Sequence, residues 1–312
     1  PGEDRYHSLE RRAEDVANRA MSWLSQHQQM PFFIWLHFYD AHEPYDPPEP
    51  FKTKYAVEPY DGEIAYTDSV LGSVMEVLQR HGLFQSTVIA VAADHGEAFG
   101  EHGEKWHGMF LYDETIHVPL LLKLPGERFA GKRVEARVAL ADVAPSLLQA
   151  ASVPIPAAMQ GQSVFPLMDA PSGEGKQTSS SEKKPPERAI YSETNYAHRV
   201  FGWSELRSWR VEKYLYVQAP KKELYDQLSD PNALKNLATT SPAVADTLDG
   251  KLSAFRKKTS DTTVERAAID PAAEEKLRAL GYLGSDSGSS NSSEKALIDP
   301  KDKIDFANKI HQ

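Results

Sequence analysis

The sequence predicts an α/β fold with a mainly parallel sheet, followed by a smaller antiparallel sheet. Residues 31–38 and 88–93 are continuous apolar runs without polar alternation, a pattern typical of strands buried on both faces. Between them, residues 60–81 carry apolar side chains at helical spacing and end at Gly82, so this stretch reads as a strand–helix–strand crossover. The alternating segments 206–211 and 213–218 predict antiparallel strands later in the chain.

The remaining elements follow from the same periodicities. An amphipathic pattern over residues 10–26 predicts a helix before the first apolar run. Further helices are predicted at residues 111–116, 142–151 and 243–257, and further strands at 118–124, 134–140, 189–193 and 224–226.

Composition limits the class of protein. With 312 residues, 40% hydrophobic and 26% charged, the chain can bury a large core. A formal net charge of -10 without a concentrated basic run argues against a nucleic-acid partner. The absence of Cys excludes disulfides and Cys-ligated zinc, and no apolar run approaches the length of a membrane span. The chain starts at Pro1 rather than Met, and we expect it to be a piece of a longer protein.

Candidate chemistry begins where the run at residues 88–93 ends, in Asp94-His95-Gly96-Glu97. In open α/β sheets ligands bind beyond the carboxyl ends of strands, and Asp and neutral His are good ligands for a divalent cation. The alternative is a polar turn in which Asp94 caps a helix.

Two further polar clusters accompany this turn, Asp40 with His42 and the trio His102, Lys105 and His107. If the strands are parallel neighbours, all three clusters lie at one edge of the sheet and form a cationic pocket around a metal, suited to a tetrahedral oxyanion. Any single His is more often a solvated or hydrogen-bonded residue, and the charged run at 101–105 is by default a solvated loop.

Several motifs together resemble the sulfatases of the alkaline phosphatase superfamily over residues 31 to about 237. Their order in the chain is Phe-Tyr-Asp-Ala-His-Glu-Pro-Tyr-Asp-Pro-Pro at 38–48, Asp-His-Gly-Glu at 94–97, Gly-Glu-His-Gly at 100–103 and Leu-Tyr-Asp-Glu-Thr-Ile-His-Val-Pro at 111–119. Weaker echoes are Asp-Val-Ala-Pro at 142–145 and Glu-Leu-Tyr-Asp at 223–226. Four motifs in order are far more specific than any one of them.

The resemblance implies an alkaline-phosphatase-like, mainly parallel sheet flanked by helices, and a small C-terminal subdomain with an antiparallel sheet. It also implies roles for five residues. Asp94 and His95 match metal ligands, His42 matches a histidine that contacts the oxyanion and leaving group, and His107, or else Lys105, matches the residue that binds the same anion. The cation is calcium in most sulfatases, and Mn²⁺ or Zn²⁺ would suit a phosphoesterase.

The implied domains are residues 1–169, the second half of the α/β domain, then 170–188, a mobile insertion rich in Ser, Pro, Lys and Glu. Residues 189–259 form the subdomain, with a four-stranded antiparallel sheet and a terminal helix. The tail, 260–312, holds a Ser/Gly-rich linker at 285–293 that leads into a truncated downstream segment. That ending is reminiscent of bacterial sulfatase-like proteins that continue into helical repeats.

One departure from the family pattern limits the function of the chain alone. Sulfatases carry their nucleophile, a formylglycine made from Cys or Ser, and two metal carboxylates upstream of these motifs, and this sequence contains neither Cys nor a Ser-x-Pro-x-Arg pattern. We therefore expect a fragment that is inactive by itself and has an exposed apolar edge and poor solubility.

The expected parent is a sulfatase acting on a small-molecule or glycan sulfate ester, with periplasmic or extracytoplasmic location suggested by the family. Two alternatives remain open. One is a phosphodiester or phosphonate monoester hydrolase, or a phosphoglycerol transferase, on the same scaffold, which His95 favours. The other is a non-catalytic interaction protein that has kept the fold.

Overall fold

The computed structural model describes residues 11–169, 188–260 and 298–311. The chain divides into two compact units. The first holds described residues 11–88 and 123–128, and the second holds described residues 89–122, 129–169, 188–260 and 298–311. The predicted linker at 285–293, and the predicted mobile insertion apart from Arg188, lie outside the described residues.

The first unit is helical. Its elements are α1 (Ala13–Gln26), α2 (Phe51–Lys54) and α3 (Pro59–Arg80). The predictions of helices at 10–26 and 60–81 are thus confirmed to within a few residues at each described end. Packing of α1 against α3 makes a core of small and β-branched side chains with one aromatic ring: Ala13, Ala17, Tyr66, Val70 and Val74.

The strand predicted at residues 31–38 is wrong for the chain as described. These residues form no helix and belong to neither sheet of the described chain. Leu36 and Phe38 pack against the helical core, while Phe33 and Trp35 are 79% and 81% exposed. A β-strand requires main-chain hydrogen bonds to an adjacent strand, and an apolar sequence pattern does not show whether such a strand is present.

The second unit begins with β1 (Ile89–Ala92), which pairs with β2 (Leu120–Lys123) in a two-stranded sheet. Both predicted strands are confirmed, with shorter bounds. β1 is partly exposed along its length, so the prediction that it is buried on both faces is wrong for the described residues. Between the two strands lies α4 (Asp113–Ile116), where a short helix was predicted.

The strand predicted at residues 134–140 is also wrong, because this segment runs into a 3₁₀ turn at Leu140–Asp142. Buried Asp142 fixes that turn: its carboxylate accepts hydrogen bonds from the N–H groups of Ala139 and Gln162, both at 2.8 Å, and from Arg188 at 2.6 Å. The turn leads into α5 (Val143–Ala150), which confirms the helix predicted there, and α6 (Phe165–Asp169) follows.

A four-stranded antiparallel sheet forms the centre of the second unit, as predicted. Its strands, in spatial order, are β3 (Ile190–Thr194), β4 (Leu206–Val211), β5 (Tyr214–Gln218) and β6 (Glu223–Asp226). The helix α7 (Tyr196–Phe201) lies between β3 and β4, and α8 (Pro242–Ser260) follows β6 where a terminal helix was predicted. A 3₁₀ turn at Pro300–Lys303 and α9 (Ile304–His311) end the described chain.

Both faces of this sheet are covered, because alternate residues of each strand enter different cores. Tyr216 and Leu224 pack with Leu248 and Leu252 of α8. On the opposite face, Leu206, Leu215, Val217 and Tyr225 pack with side chains from the loop after β1 and from α9: Trp106, Met109, Phe110, Leu111, Tyr112, Ile304 and Ala307. The period of two residues along a strand accounts for this division. The sheet therefore supports the loop that carries the candidate site.

No helix in the described part of the chain is long and apolar enough to span a bilayer.

Candidate active site

The candidate site is built on the turn that follows β1, residues 94–97, called here the site turn. Gly96 makes this turn possible: its N–H donates to the Thr115 carbonyl at 2.8 Å, and a Cβ atom there would lie 2.1 Å from the carbonyl oxygen of Glu114. The close backbone approach excludes any larger residue. It also fixes the position of the backbone from which the Asp94 and His95 side chains project.

Asp94 and His95 present an oxygen and a nitrogen on the same side of the turn. Oδ1 of Asp94 accepts the His95 N–H at 3.1 Å and lies 3.9 Å from His95 Nε2. His95 Nδ1 lies 2.8 Å from the Gly96 carbonyl oxygen, which can only accept a hydrogen bond. In the neutral ring the proton is therefore on Nδ1, and Nε2 carries the lone pair that a metal ion requires.

His107 lies directly over His95. The two rings stack with centroids 3.9 Å apart and planes 24° apart. On its other side, His107 Nδ1 is 3.1 Å from Oε1 of Glu97, whose side chain is only 3% exposed. This contact with a buried carboxylate fixes the orientation of the His107 ring. The structure thus brings together Asp94, His95, Glu97 and His107.

His102 is not part of this group. Its Nδ1 is 2.7 Å from Oε1 of Glu114, its Nε2 is 3.2 Å from the Ala233 carbonyl, and its ring stacks on Tyr112 at 3.7 Å. Burial opposes a charge on this ring, but the carboxylate and carbonyl partners outweigh it and raise the pKa of His102 above its ordinary value. His102 therefore connects its loop to Glu114 and Ala233 and has a structural role. This agrees with the alternative stated above, in which a single His is a hydrogen-bonded residue.

Glu104 is a structural residue of the same loop that sequence reasoning did not identify. Its fully buried carboxylate accepts hydrogen bonds from the N–H groups of Met109, at 2.7 Å, and Phe110, at 3.2 Å. Burial raises its pKa to about 7 against the opposing effect of these two bonds. The only signal in the sequence was a second acidic residue within a loop already rich in charge, which does not distinguish a buried carboxylate from a solvated one.

Lys105 and His107 were competing candidates for the same role. The exposed side chain of Lys105 lines a cleft of about 400 Å³ together with Asp305, Asn308 and Lys309 of α9. The contacts of His107 are instead with His95 and Glu97. The geometry therefore favours His107 as the side chain beside the site turn.

His42 belongs to the first unit. Its ring stacks on Tyr39 with centroids 4.5 Å apart, and its Nδ1 lies 2.7 Å from the Glu43 carbonyl. Asp40, in the same loop, accepts the N–H of Ala13 at 3.1 Å and so binds the first turn of α1. The convergence of His42 with Asp94 stays a prediction, as do the roles assigned to both residues.

The donor atoms of the site turn match, in part, the divalent cation that the resemblance implies. Asp94 and His95 fit as two of its ligands, since an anionic oxygen and an imidazole lone pair lie close together and the Asp94 side chain is 57% exposed. Among the described residues, no group of three or more His, Asp or Glu side chains is arranged to hold an ion. The site turn therefore offers part of a coordination sphere.

Sequence comparison decides the family. The sulfatase family model matches residues 4–153, and the model for the C-terminal part of N-sulphoglucosamine sulphohydrolase matches residues 100–258, about half of the chain. The chain belongs to the sulfatase family. Arylsulfatase K of Homo sapiens is 32% identical over 200 residues, which cover 62% of this chain and 35% of that protein. The chain therefore spans about a third of the length of the curated relatives it matches.

Solved structures show the same fold. The phosphonate monoester hydrolase of Agrobacterium radiobacter matches 82% of this chain and 64% of its own with a TM-score of 0.64 at 22% identity. BT4656, solved with its substrate D-glucosamine-2-N,6-O-disulfate, matches 72% of this chain and 45% of its own with a TM-score of 0.54 at 23% identity. The fold is alkaline-phosphatase-like, with a small antiparallel sheet, as the sequence predicted. The relatives include animal proteins, so they do not support the bacterial origin that the end of the sequence suggested.

Proposed function

We propose that the protein containing this chain hydrolyses sulfate esters, and that the site turn and His107 form one side of its active site. The observation that carries the proposal is the compact group of Asp94, His95, His107 and Glu97, in which the two candidate metal ligands lie against a second imidazole ring. Membership of the sulfatase family supports the reaction class.

Asp94 and His95 would hold one divalent cation through Oδ1 and Nε2. When bound, such an ion supplies Lewis-acid polarisation of a sulfate oxygen. Calcium is the proposed ion for a sulfatase, and Mn²⁺ or Zn²⁺ for a phosphoesterase. The exposed Asp94 carboxylate is reachable from solvent, and the Nδ1–H bond to the Gly96 carbonyl orients the His95 ring.

His107 would bind the anionic group. The contact of Nδ1 with the buried Glu97 carboxylate would orient the ring beside Asp94 and His95, where it would donate a hydrogen bond to a sulfate oxygen. His42 would protonate the leaving oxygen, a role proposed from its match to the family motif. The nucleophile, a formylglycine in sulfatases, is proposed to come from outside these residues.

A second candidate function is hydrolysis of phosphodiesters or phosphonate monoesters. The observation that favours it is His95, an imidazole beside the metal carboxylate where many sulfatases carry Asn, and the fold shared with a phosphonate monoester hydrolase agrees with it. A sulfated glycan is the proposed substrate class for the first function, in line with the N-sulphoglucosamine sulphohydrolase match, and an extracytoplasmic location is proposed with it.

One assay separates these candidates. The protein containing this chain is given a chromogenic aryl sulfate and the matching aryl phosphonate monoester, with calcium and then with Mn²⁺. We expect the larger kcat/KM with the sulfate and calcium, and a large loss in Asp94→Asn. Preference for the phosphonate would favour the second function. No turnover of either ester would favour the non-catalytic alternative.

A further inference from the structure

The described end of the chain, residues 298–311, is called here the terminal segment, and it is packed against the loop that carries the candidate site. Ile304 and Ala307 are buried in the core beneath that loop. Asp299, 3% exposed, accepts the N–H of Lys301 and that of Lys221, both at 3.0 Å. Asn308 donates to the Gly103 carbonyl at 2.8 Å. The segment is thus an integral part of the second unit.

Lys301 connects the terminal segment to a buried carboxylate. It forms an ion pair with Oε1 of Glu223, which is 1% exposed. The other oxygen of Glu223 accepts hydrogen bonds from the hydroxyls of Tyr112, at 2.5 Å, and Tyr225, at 2.6 Å. A buried carboxyl group is stable only when it is paired and fully hydrogen-bonded, so Lys301 completes the set of partners that holds the Glu223 side chain in place.

From Tyr112 the contacts continue to the site turn. The Tyr112 ring stacks on His102 at 3.7 Å, and His102 is bonded to the Glu114 carboxylate at 2.7 Å. The backbone of Glu114 lies against Gly96, the residue that follows His95. A continuous series of contacts therefore runs from Lys301 to the turn that presents the metal-binding pair.

We propose that Lys301 is a positioning residue for the site turn, acting through Glu223 and Tyr112. Removing its charge leaves Glu223 without the Lys301 ion pair. The hydrogen bond from the Tyr112 hydroxyl to Glu223, which holds the Tyr112 ring against His102, is then weakened. The Gly96 amide and the His95 ring then shift. The inference rests on the proposed function only in treating the site turn as functional; the contacts themselves do not depend on it.

The test is solution NMR of the Gly96 amide and the His102 ring in the whole chain, without substrate. In Lys301→Met we expect both sets of resonances to move, and in Lys301→Arg we expect them to return towards their native positions. Lys303→Met, an exposed lysine of the same segment, is the matched control and should leave them unchanged. Native Gly96 and His102 resonances in Lys301→Met would overturn the proposal.

A second pair of variants tests the connection without altering the terminal segment. Tyr112→Phe removes the hydroxyl but keeps the apolar ring, a change that cores tolerate. Tyr225→Phe is the matched control. It removes the other hydroxyl that donates to Glu223, and the Tyr225 ring lies edge-on to Tyr112 rather than against His102. We expect Gly96 to move in Tyr112→Phe only. Equal shifts in both variants, or in neither, would overturn the proposal even if Lys301→Met failed to fold.

In the protein containing this chain, the same Lys301→Met change should lower kcat about 10- to 100-fold, as loss of an orienting partner does, with recovery in Lys301→Arg. Failure of the proposed function would appear as no sulfate hydrolysis by the native protein, while the resonance shifts would still be present. The two failures are therefore distinguishable.

Discussion

Two contacts hold the His107 ring in place. His95 stacks on one face of the ring, and the Glu97 carboxylate lies beside Nδ1 on its edge. We predict that His107→Ala lowers kcat for an aryl sulfate about 10²–10³-fold in the protein containing this chain, the range for loss of one donor to a developing anion. Steady-state kinetics measures it. His117→Ala, an exposed histidine beyond α4, is the control and should be near native. Equal losses in both variants would contradict the role of His107.

Glu104 shows how burial changes a single side chain. Its pKa rises from 4.5 to about 7 because burial disfavours the charged form. In the folded chain Glu104 therefore holds its proton to higher pH than in the unfolded chain. The free energy of unfolding is then greater at low pH and falls as the pH rises from 4.5 towards 7.

We predict that the contribution of Glu104 to this fall is at most about 3 kcal/mol, the value of a shift of this size, and that Glu104→Gln makes the fall smaller by that amount. Burial also raises the pKa of Glu63 to about 7, so Glu63 accounts for a further part of the fall. Urea unfolding at several pH values between 4.5 and 8 measures it. Glu76→Gln, at an exposed position of α3, should retain the native pH dependence. A native slope in Glu104→Gln would show that another group is responsible.

At the scale of elements, periodicity located most helices and strands because it reports which face of an element is buried. It failed at residues 31–38 and 134–140. In the first case Leu36 is partly buried against the core of α1 and α3 and Trp35 is exposed, so the run is not buried on both faces, and no strand of the described chain pairs with it. In the second, the Asp142 carboxylate holds a turn, and no periodic pattern reports such a bond.

Residues 31–38 expose two large aromatic side chains, Phe33 and Trp35, while the exposed sheet edge expected from the sequence stays a prediction. We predict that Phe33→Ser with Trp35→Ser reduces self-association of the chain, because exposed apolar, unpaired main chain favours intermolecular pairing. Sedimentation velocity over a range of concentrations measures it. The control is Val57→Ser, which alters an isolated side chain that is 92% exposed. If self-association persists undiminished, another surface is responsible.

The site turn and α3 offer a matched pair of glycines. A Cβ atom at Gly96 would lie 2.1 Å from the Glu114 carbonyl oxygen, whereas one at Gly72 would meet nothing within 4 Å. We predict that Gly72→Ala stabilises the chain by about 0.5–1 kcal/mol through helix propensity, and that Gly96→Ala destabilises it by about 1–3 kcal/mol through overpacking. Urea denaturation measures both. A neutral Gly96→Ala would mean that the turn can open.

At the scale of the whole molecule, the sequence predicted that the polar turn after β1 and His107 are neighbours, because chemistry-bearing residues at a strand end are visible in the sequence. Their roles in binding stay predictions. The sequence did not indicate the supports of the site. Glu223 and Lys301 lie far from Asp94 along the chain and become neighbours of its loop only when the antiparallel sheet forms. Sequence spacing carries no information on such contacts.

Metal binding at the site turn should appear in the stability of the whole molecule. We predict that calcium raises the melting temperature in a concentration-dependent manner, since a ligand at 100 times its Kd stabilises the folded state by about 2.7 kcal/mol. Thermal unfolding across a calcium series measures it. Asp94→Asn should reduce the rise, and His117→Ala should not. An equal rise in Asp94→Asn would assign the effect to another site.

The sheet β3–β6 separates two environments within one unit. Tyr216 and Leu224 belong to the core with α8, while Leu215, Val217 and Tyr225 belong to the core beneath the loop of the candidate site. Substitutions at neighbouring positions of one strand should therefore have different effects. Those that face α8 should alter the stability of the sheet, whereas those on the opposite face should also displace the loop of the candidate site.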